Sequence, residues 1–477
     1  MVYYLAVDLG TTGCRSIVFD EKLEALADSY KEYGLSVPEM NWAEQDASLW
    51  WELTAATAHE AIAGSGIDPE KIDSISVSSQ GITIVPVDRQ LTPLRPAITW
   101  LDVRAEEQAE FLNAEWGNDN CFLKTGKRID PCYTLPKLIW LKQNEPDVFN
   151  KAWKFLMPMD FLIGKLTGNC VTDHSMASGT LLYDIKEQVW CREVLDKYGI
   201  AEERLPAIKW SGESAGCVLP EVAQLLGLRP DCTVAVGAQD QKCAALGAGL
   251  NDSTMTISLG TAGAIIKLWS SPELENHSKV GWCGNTERGT WVTEGVINTA
   301  ATCLRWVRDV MFPGESYDVI NREAEEAEKR GSGLMFFPFL NGPSSPNYYE
   351  GATGSFYGAS LATQRGDFAL AVMEGVAFQI RIMLEAMGAY GEVENLVLFG
   401  GGSKSPLWCR IIADATAMTI KVPTTSEAAA AGAAILAARA AGERLSPLDV
   451  GAEYLPDAER LKKKYERYTD IERRLWH

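Results

Sequence analysis

Histidine is scarce: His59, His174, His277 and His477 are the only four in 477 residues. None stands four residues from another or beside a cysteine pair, so zinc sites and Ser-His-Asp triads find no support. The eleven cysteines include no Cys-x-x-Cys pair and no even spacing, the pattern of scattered reduced thiols in a cytoplasmic protein rather than of a disulfide framework. Positive charge is in deficit, 44 Lys and Arg against 64 Asp and Glu, for a net charge of −20. That argues against nucleic acid as a partner, which needs a basic face. The most continuous small-apolar run, AAAAGAAILAARAAG from Ala428, is interrupted by Arg439 and is too short for a bilayer. The N-terminus enters a strand pattern with no basic-then-apolar signal, and no membrane partner is expected. Walker A spacing and a full G-x-G-x-x-G are both missing, so P-loop and Rossmann sites lose support.

What is present points elsewhere. The length suggests two domains, and alternating strand-like and helix-like runs indicate an α/β protein. The stretch YLAVDLGTTGCRSIVFD, Tyr4 to Asp20, reads as two short strands joined at a corner of Asp8, Gly10, Thr11, Thr12 and Gly13. Glycines there allow close backbone approach, and N–H groups with threonine hydroxyls can face an anion. An acid beside an anion site makes sense with a divalent cation between them; a polar hairpin tip is the alternative. The pattern returns in MTISLGTAGAIIKLW from Met255, where Ser258 and Ala262 replace Asp8 and Thr12. Such a recurrence suggests two related domains that each offer a hairpin to a shared cleft, with one metal contact, and it favours nucleotide phosphate as the ligand. The boundary falls near 245–253, giving domains 1–247 and 248–477.

Between these motifs, a helix is expected after an Asp46 N-cap with Gly64 as its stop. Strands are expected at IDSISVSS, GITIVPVD, PAITW, CTVAVGAQD and NLVLFGG. Further helices are expected at 103–115, 136–144, 214–227, 297–311 and 316–330, and from Asp367. Gly400, Gly401 and Gly402 form a strand-to-helix turn, its helix holding Ser403 to Pro406 in the first turn, suited to phosphate or to close packing. Asp240, closing a strand, suits either a general base for a hydroxyl attacking phosphorus or an N-cap on a helix from Gln241. Trp100, Asp102 and Arg104 suit a sugar at a cleft mouth, or an N-cap with Arg104 on a solvated helix face.

Taken together, the two hairpins, Asp240 and the FGGG turn resemble the FGGY carbohydrate kinases, of the actin/hexokinase/Hsp70-like ATPase superfamily. The resemblance extends through LPKLIWLKQNEPDVF, TDHSMASGTLLYDI, GSFYGASLATQRGDFALAVMEGVAFQIR and SEAAAAGAAILAARAAG, and is strongest to the xylulokinase-type branch. It implies two ribonuclease H-like α/β domains with ATP and sugar in the cleft between them. Asp8 would hold Mg²⁺, Thr11 and Thr12 would meet the phosphates beside Gly10, and Gly260 and Thr261 would approach from the other side. Gly400–Gly402 would run along the nucleotide, Asp240 would be the base, and Gln241 would orient the sugar, with Gln80 on the substrate side. A homodimer is compatible with the resemblance, although no sequence feature shows one.

Departures fall on the acceptor side. Gly81 and Ile82 follow Gln80 where xylulokinases usually have Met-His and glycerol kinases Arg-Glu. Gly342-Pro343-Ser344-Ser345-Pro346 lacks the usual charged run, and Cys132 stands at a substrate tyrosine of glycerol kinases. The expected activity is ATP-dependent phosphorylation of a small sugar hydroxyl, D-xylulose first, with ribulose, a tetrulose, glycerol or another polyol, or gluconate as alternatives. The rival class is a non-catalytic nucleotide switch or sugar sensor.

Overall fold

A computed structural model describes residues 2–276, 279–343 and 345–476. His277, His477 and Ser344 of the uncharged run lie outside them. His59 is exposed, and His174 is buried, bonded through Nδ1 to the Tyr183 hydroxyl at 2.8 Å and stacked on Trp210.

Two sheets repeat one strand order. In the first, Ala25–Glu32, Gly13–Phe19 and Tyr3–Leu9 run antiparallel, and Ile72–Ser79 and Thr233–Gln239 then add in parallel. In the second, Trp291–Ile297, Gly263–Trp269 and Thr254–Leu259 precede Asn395–Phe399 and Thr419–Pro423 in the same sense. This is the ribonuclease H-like order expected for the two-domain α/β fold. Parallel neighbours are far apart in sequence because a parallel pair needs a crossover, and here the crossovers carry helices. The central strands are almost wholly buried, so they read as continuous apolar runs rather than alternations.

Several boundaries move. The helix capped by Asp46 is Ala47–Ser65 and ends at Gly66, where φ is +68°, one turn's fraction beyond Gly64. GITIVPVD yields only Val85–Val87, and PAITW only Ala97–Ile98. Residues 214–227 are not one helix: Ser214–Cys217 is an edge strand on Thr233–Gln239, and the helix is Pro220–Leu226. Proline suits only the first turn of a helix, so Pro220 starts one rather than continuing one. Residues before Ala301 belong to the strand Trp291–Ile297 and its turn, so that helix is Ala301–Met311.

The helices Asp240–Gly247 and Ala428–Ala440 are exchanged between the sheets. Ala244 and Ala248 pack on Val397 and Phe399, and Ala245 on Ile266, Cys283 and Val292, all of the second sheet. Ala430 to Ala438 pack on Tyr4, Ala6, Ile17, Phe19 and Ala238 of the first. A helix apolar all round is a buried helix. Where the two cross, their backbones touch. A Cβ on Gly432 would lie 1.8 Å from the Cys243 carbonyl oxygen, and one on Gly247 would lie 2.1 Å from that of Ala428. No rotamer relieves a clash with backbone, so Gly432→Val is expected to destabilise by about 3 kcal/mol or more, above the usual overpacking cost. A lowered urea midpoint measures it, with Ala434→Gly, on the same helix, as the mild control.

Candidate active site

The first hairpin turns its carbonyls inward. Gly10 O accepts from the Tyr33 hydroxyl, Thr11 O from Gln45 Nε2 at 2.6 Å, and Thr12 O from the Tyr33 N–H at 3.1 Å. The N–H groups of Thr11 and Thr12 have no partner among the described residues, which leaves both donors available to an anion. Asp8 stands just before the corner, in register with Ser78 of the parallel neighbour. Its Oδ1 accepts from Ser78 Oγ at 2.8 Å, and burial raises its carboxyl to about 6.

Asp240 is neither free at a strand end nor an N-cap. Gln239 caps the helix, and Asp240 is its first residue. Gln239 Oε1 accepts from the Gln241 N–H at 3.1 Å, while Gln239 Nε2 donates to Asp240 Oδ1. The Gln241 N–H also reaches Asp240 Oδ1, at 2.6 Å. Asp240 Oδ2 is left without a partner among the described residues. Burial first, then the charge of Asp8, raise the Asp240 carboxyl to about 7, against the attraction of Lys242. A carboxylate of that basicity is suited to take a proton near neutral pH. Beside it, Gln241 Oε1 is buried and accepts from no described group, a vacancy that a bound hydroxyl would satisfy.

The second hairpin closes with the Gly260 N–H on Ala262 O at 3.1 Å and is tied to the helix Ala301–Met311 through Ala300 N–H to Thr261 O and Ala301 N–H to Gly260 O. Gly400 lies against its base: φ is +91°, and a Cβ would stand 3.0 Å from Leu259 O. Only glycine meets both demands. Gly401 to Lys404 form one 3₁₀ turn, and the following helix begins at Pro406 with Ser405 as its cap, later than the expected first turn at Ser403.

The acceptor-side residues separate. Trp100 is 40% exposed and donates Nε1 to Thr11 Oγ1 at 2.9 Å, joining its loop to the corner of the first hairpin. Gln80 is buried, its Nε2 on Gln45 Oε1 at 2.9 Å and its Oε1 receiving Thr83 Oγ1. Asp102 and Arg104 have no exposed side-chain surface. Asp102 Oδ2 accepts from the Ala43 N–H and from Arg104, whose Nη2 also meets Glu44 at 2.7 Å. Arg104 stacks 3.6 Å above Trp42. This buried ion cluster stands behind Trp100, before the helix Glu106–Glu115 begins, and so differs from both readings of PAITWLDVRAEEQ. At the wall itself, a Cβ on Gly81 would lie 3.1 Å from Gln239 Cγ, and Ile82 has a φ of +68°.

Sequence reasoning missed Gln239, Ser78, Gln45, Lys242 and Glu294. Gln239 and Lys242 lie within two residues of Asp240, and only Ser78, Gln45 and Glu294 are distant from it in sequence.

Residues 3–247 match the N-terminal domain of the FGGY family of carbohydrate kinases, and residues 255–441 its C-terminal domain. A xylulose kinase of Bacillus subtilis is 31% identical over 446 residues, 93% of this chain and 89% of that protein. A gluconokinase of Bacillus licheniformis is 27% identical, covering 97% and 92%. A crystal structure described as a xyloylose kinase from Brucella ovis superposes with a TM-score of 0.91 at 30% identity, over 99% of both chains. With both domains matched over most of its length, the chain belongs to the FGGY family of carbohydrate kinases.

Proposed function

We propose that the chain transfers the terminal phosphoryl group of Mg-ATP to a hydroxyl of a small ketose, with D-xylulose giving D-xylulose 5-phosphate as the first choice. The observation that carries this is the unpartnered Asp240 Oδ2 beside the orphaned Gln241 Oε1. Xylulose kinases among the relatives support the choice of sugar, and the gluconokinase makes an aldonic acid the next candidate. A cytoplasmic location and a homodimer belong to the same reading.

In this mechanism Asp240 Oδ2 takes the proton of the attacking hydroxyl while Gln239 and the Gln241 N–H fix Oδ1. Gln241 Oε1 accepts from a neighbouring hydroxyl of the sugar, and Trp100 packs on its C–H face. The amides of Thr11 and Thr12 hold phosphate oxygens, with Gly10 allowing the close approach, and Gly260 and Thr261 hold them from the second hairpin. Gly400–Gly402 line the nucleotide. Asp8 fits a magnesium ion: it is a hard oxygen donor, and Ser78 engages only one of its oxygens. The ion, when bound, neutralises charge on the phosphates.

A coupled ADP-release assay against ketoses, polyols and aldonic acids tests the reading, and ADP release without dependence on any acceptor would contradict it. Asp240→Asn is expected to lower kcat by about 10²–10⁴-fold while ATP binding by calorimetry is retained. Asp8→Ala is expected to weaken the Mg²⁺ dependence of turnover; an unchanged Mg²⁺ titration counts against that role. Because the base works deprotonated and its carboxyl is raised to about 7, kcat/KM for the acceptor is expected to fall as pH drops below that value. A flat profile from roughly pH 5.5 to 8.5, the range in which a tuned base titrates, opposes it.

A further inference from the structure

Two lysines of the first half converge on one glutamate of the second. Lys242 Nζ lies 2.8 Å from Glu294 Oε2, with side chains only 3% and 15% exposed. Lys127, just past the helix Asn118–Thr125, places its Nζ 3.9 Å from the same oxygen and 3.0 Å from Cys283 Sγ. Glu294 and Cys283 sit on adjacent antiparallel strands of the second sheet. Among the described residues, the other ion pairs between the halves, Arg288–Glu213 and Arg15–Glu427, use far more exposed side chains. Exposed pairs contribute little, whereas Glu294 without Lys242 would still have the Lys127 ammonium beside it, so its buried charge would not be left unpaired.

Lys242 is two residues beyond Asp240 on the same eight-residue helix. Four side chains and one amide bear on Asp240: the Gln239 side chain and the Gln241 N–H from its own segment, Lys242 from its helix, Asp8 from the first sheet and Glu294 from the second. Of these, Lys242 supplies the positive charge, and Glu294 takes one of the three N–H bonds its ammonium offers. The Ala428–Ala440 helix fixes the opposite side of the Asp240 helix by backbone contact. The pair with Glu294 therefore anchors the first turn of that helix to the second sheet.

We propose that Lys242 is a positioning residue for Asp240, and that its ion pair with Glu294 brings the carboxylate to its working place only when the two halves are seated together. The inference rests on Asp240 being the base. Its function is not general stability: a lysine that only glued the halves would affect substrate binding and melting together.

The test uses the full chain with Mg-ATP and D-xylulose, or whichever acceptor the panel identifies. Lys242→Met is expected to lower kcat by roughly 10- to 100-fold, the scale of an ångström's misplacement. KM for both substrates should stay within about threefold, the melting temperature should hold, and Lys242→Arg should recover most of the turnover. A wild-type kcat in Lys242→Met overturns the proposal. So does a loss that tracks a fall in melting temperature, or one that arginine does not restore. Asp240→Asn separates the two ideas. If it keeps its turnover, the base reading falls and this inference with it; if it is inactive while Lys242→Met works normally, only the positioning role fails.

Discussion

The backbone contact between two crossed helices is the constraint on which the site depends. Gly432 against the Cys243 carbonyl and Gly247 against that of Ala428 leave no room for a side chain. Each helix starts from one sheet and packs on the other, so relative movement of the sheets must pass through this crossing. Asp240 opens one of these helices at the end of a buried strand. Its position is therefore set by both halves at once. Interiors packed to crystal-like density transmit small shifts rather than absorb them, which makes a crossing of this kind an apt pivot for a cleft.

Three carboxylates near the pivot share burial and differ in their partners. Asp8 and Asp240 are raised to about 6 and about 7. Glu294, which burial also pushes upward, is held at about 2 by Lys242 and Lys127. Desolvation decides the first two, and paired ammonium groups decide the third. The contrast gives each a different chemistry. The paired ammonium groups favour the charged form of Glu294, whereas burial favours the neutral form of Asp240.

Much of this was legible in the sequence, because corners that hold phosphates need glycine and short polar residues in a fixed order. The repeat of Asp8–Gly13 as Ser258–Gly263 carried the two-sheet fold, and Asp240 stood out as an acid closing an apolar strand. Asp102 and Arg104 were misjudged since the partners that bury them, the Ala43 N–H for Asp102 and Glu44 for Arg104, lie some sixty positions upstream, and a buried ion cluster has the same local pattern as a solvated one. Lys242 and Glu294 were invisible for the same reason, being brought together only by the exchange of helices. The segment 214–227 looked amphipathic as a whole, yet pairing with Thr233–Gln239 claimed its first residues as a strand; tertiary pairing overrides local preference.

Ile82 shows how separable the acceptor wall is from the fold. A β-branched residue at a φ of +68° is held there by its surroundings rather than by its own preference. Thr134 donates to its carbonyl, and Gly179 leaves space for its side chain. The loop's path is thus imposed from outside, so residues that tolerate this conformation better, such as asparagine, inherit the path with less strain. Selection can then change the side chain at position 82 without rebuilding the backbone around it.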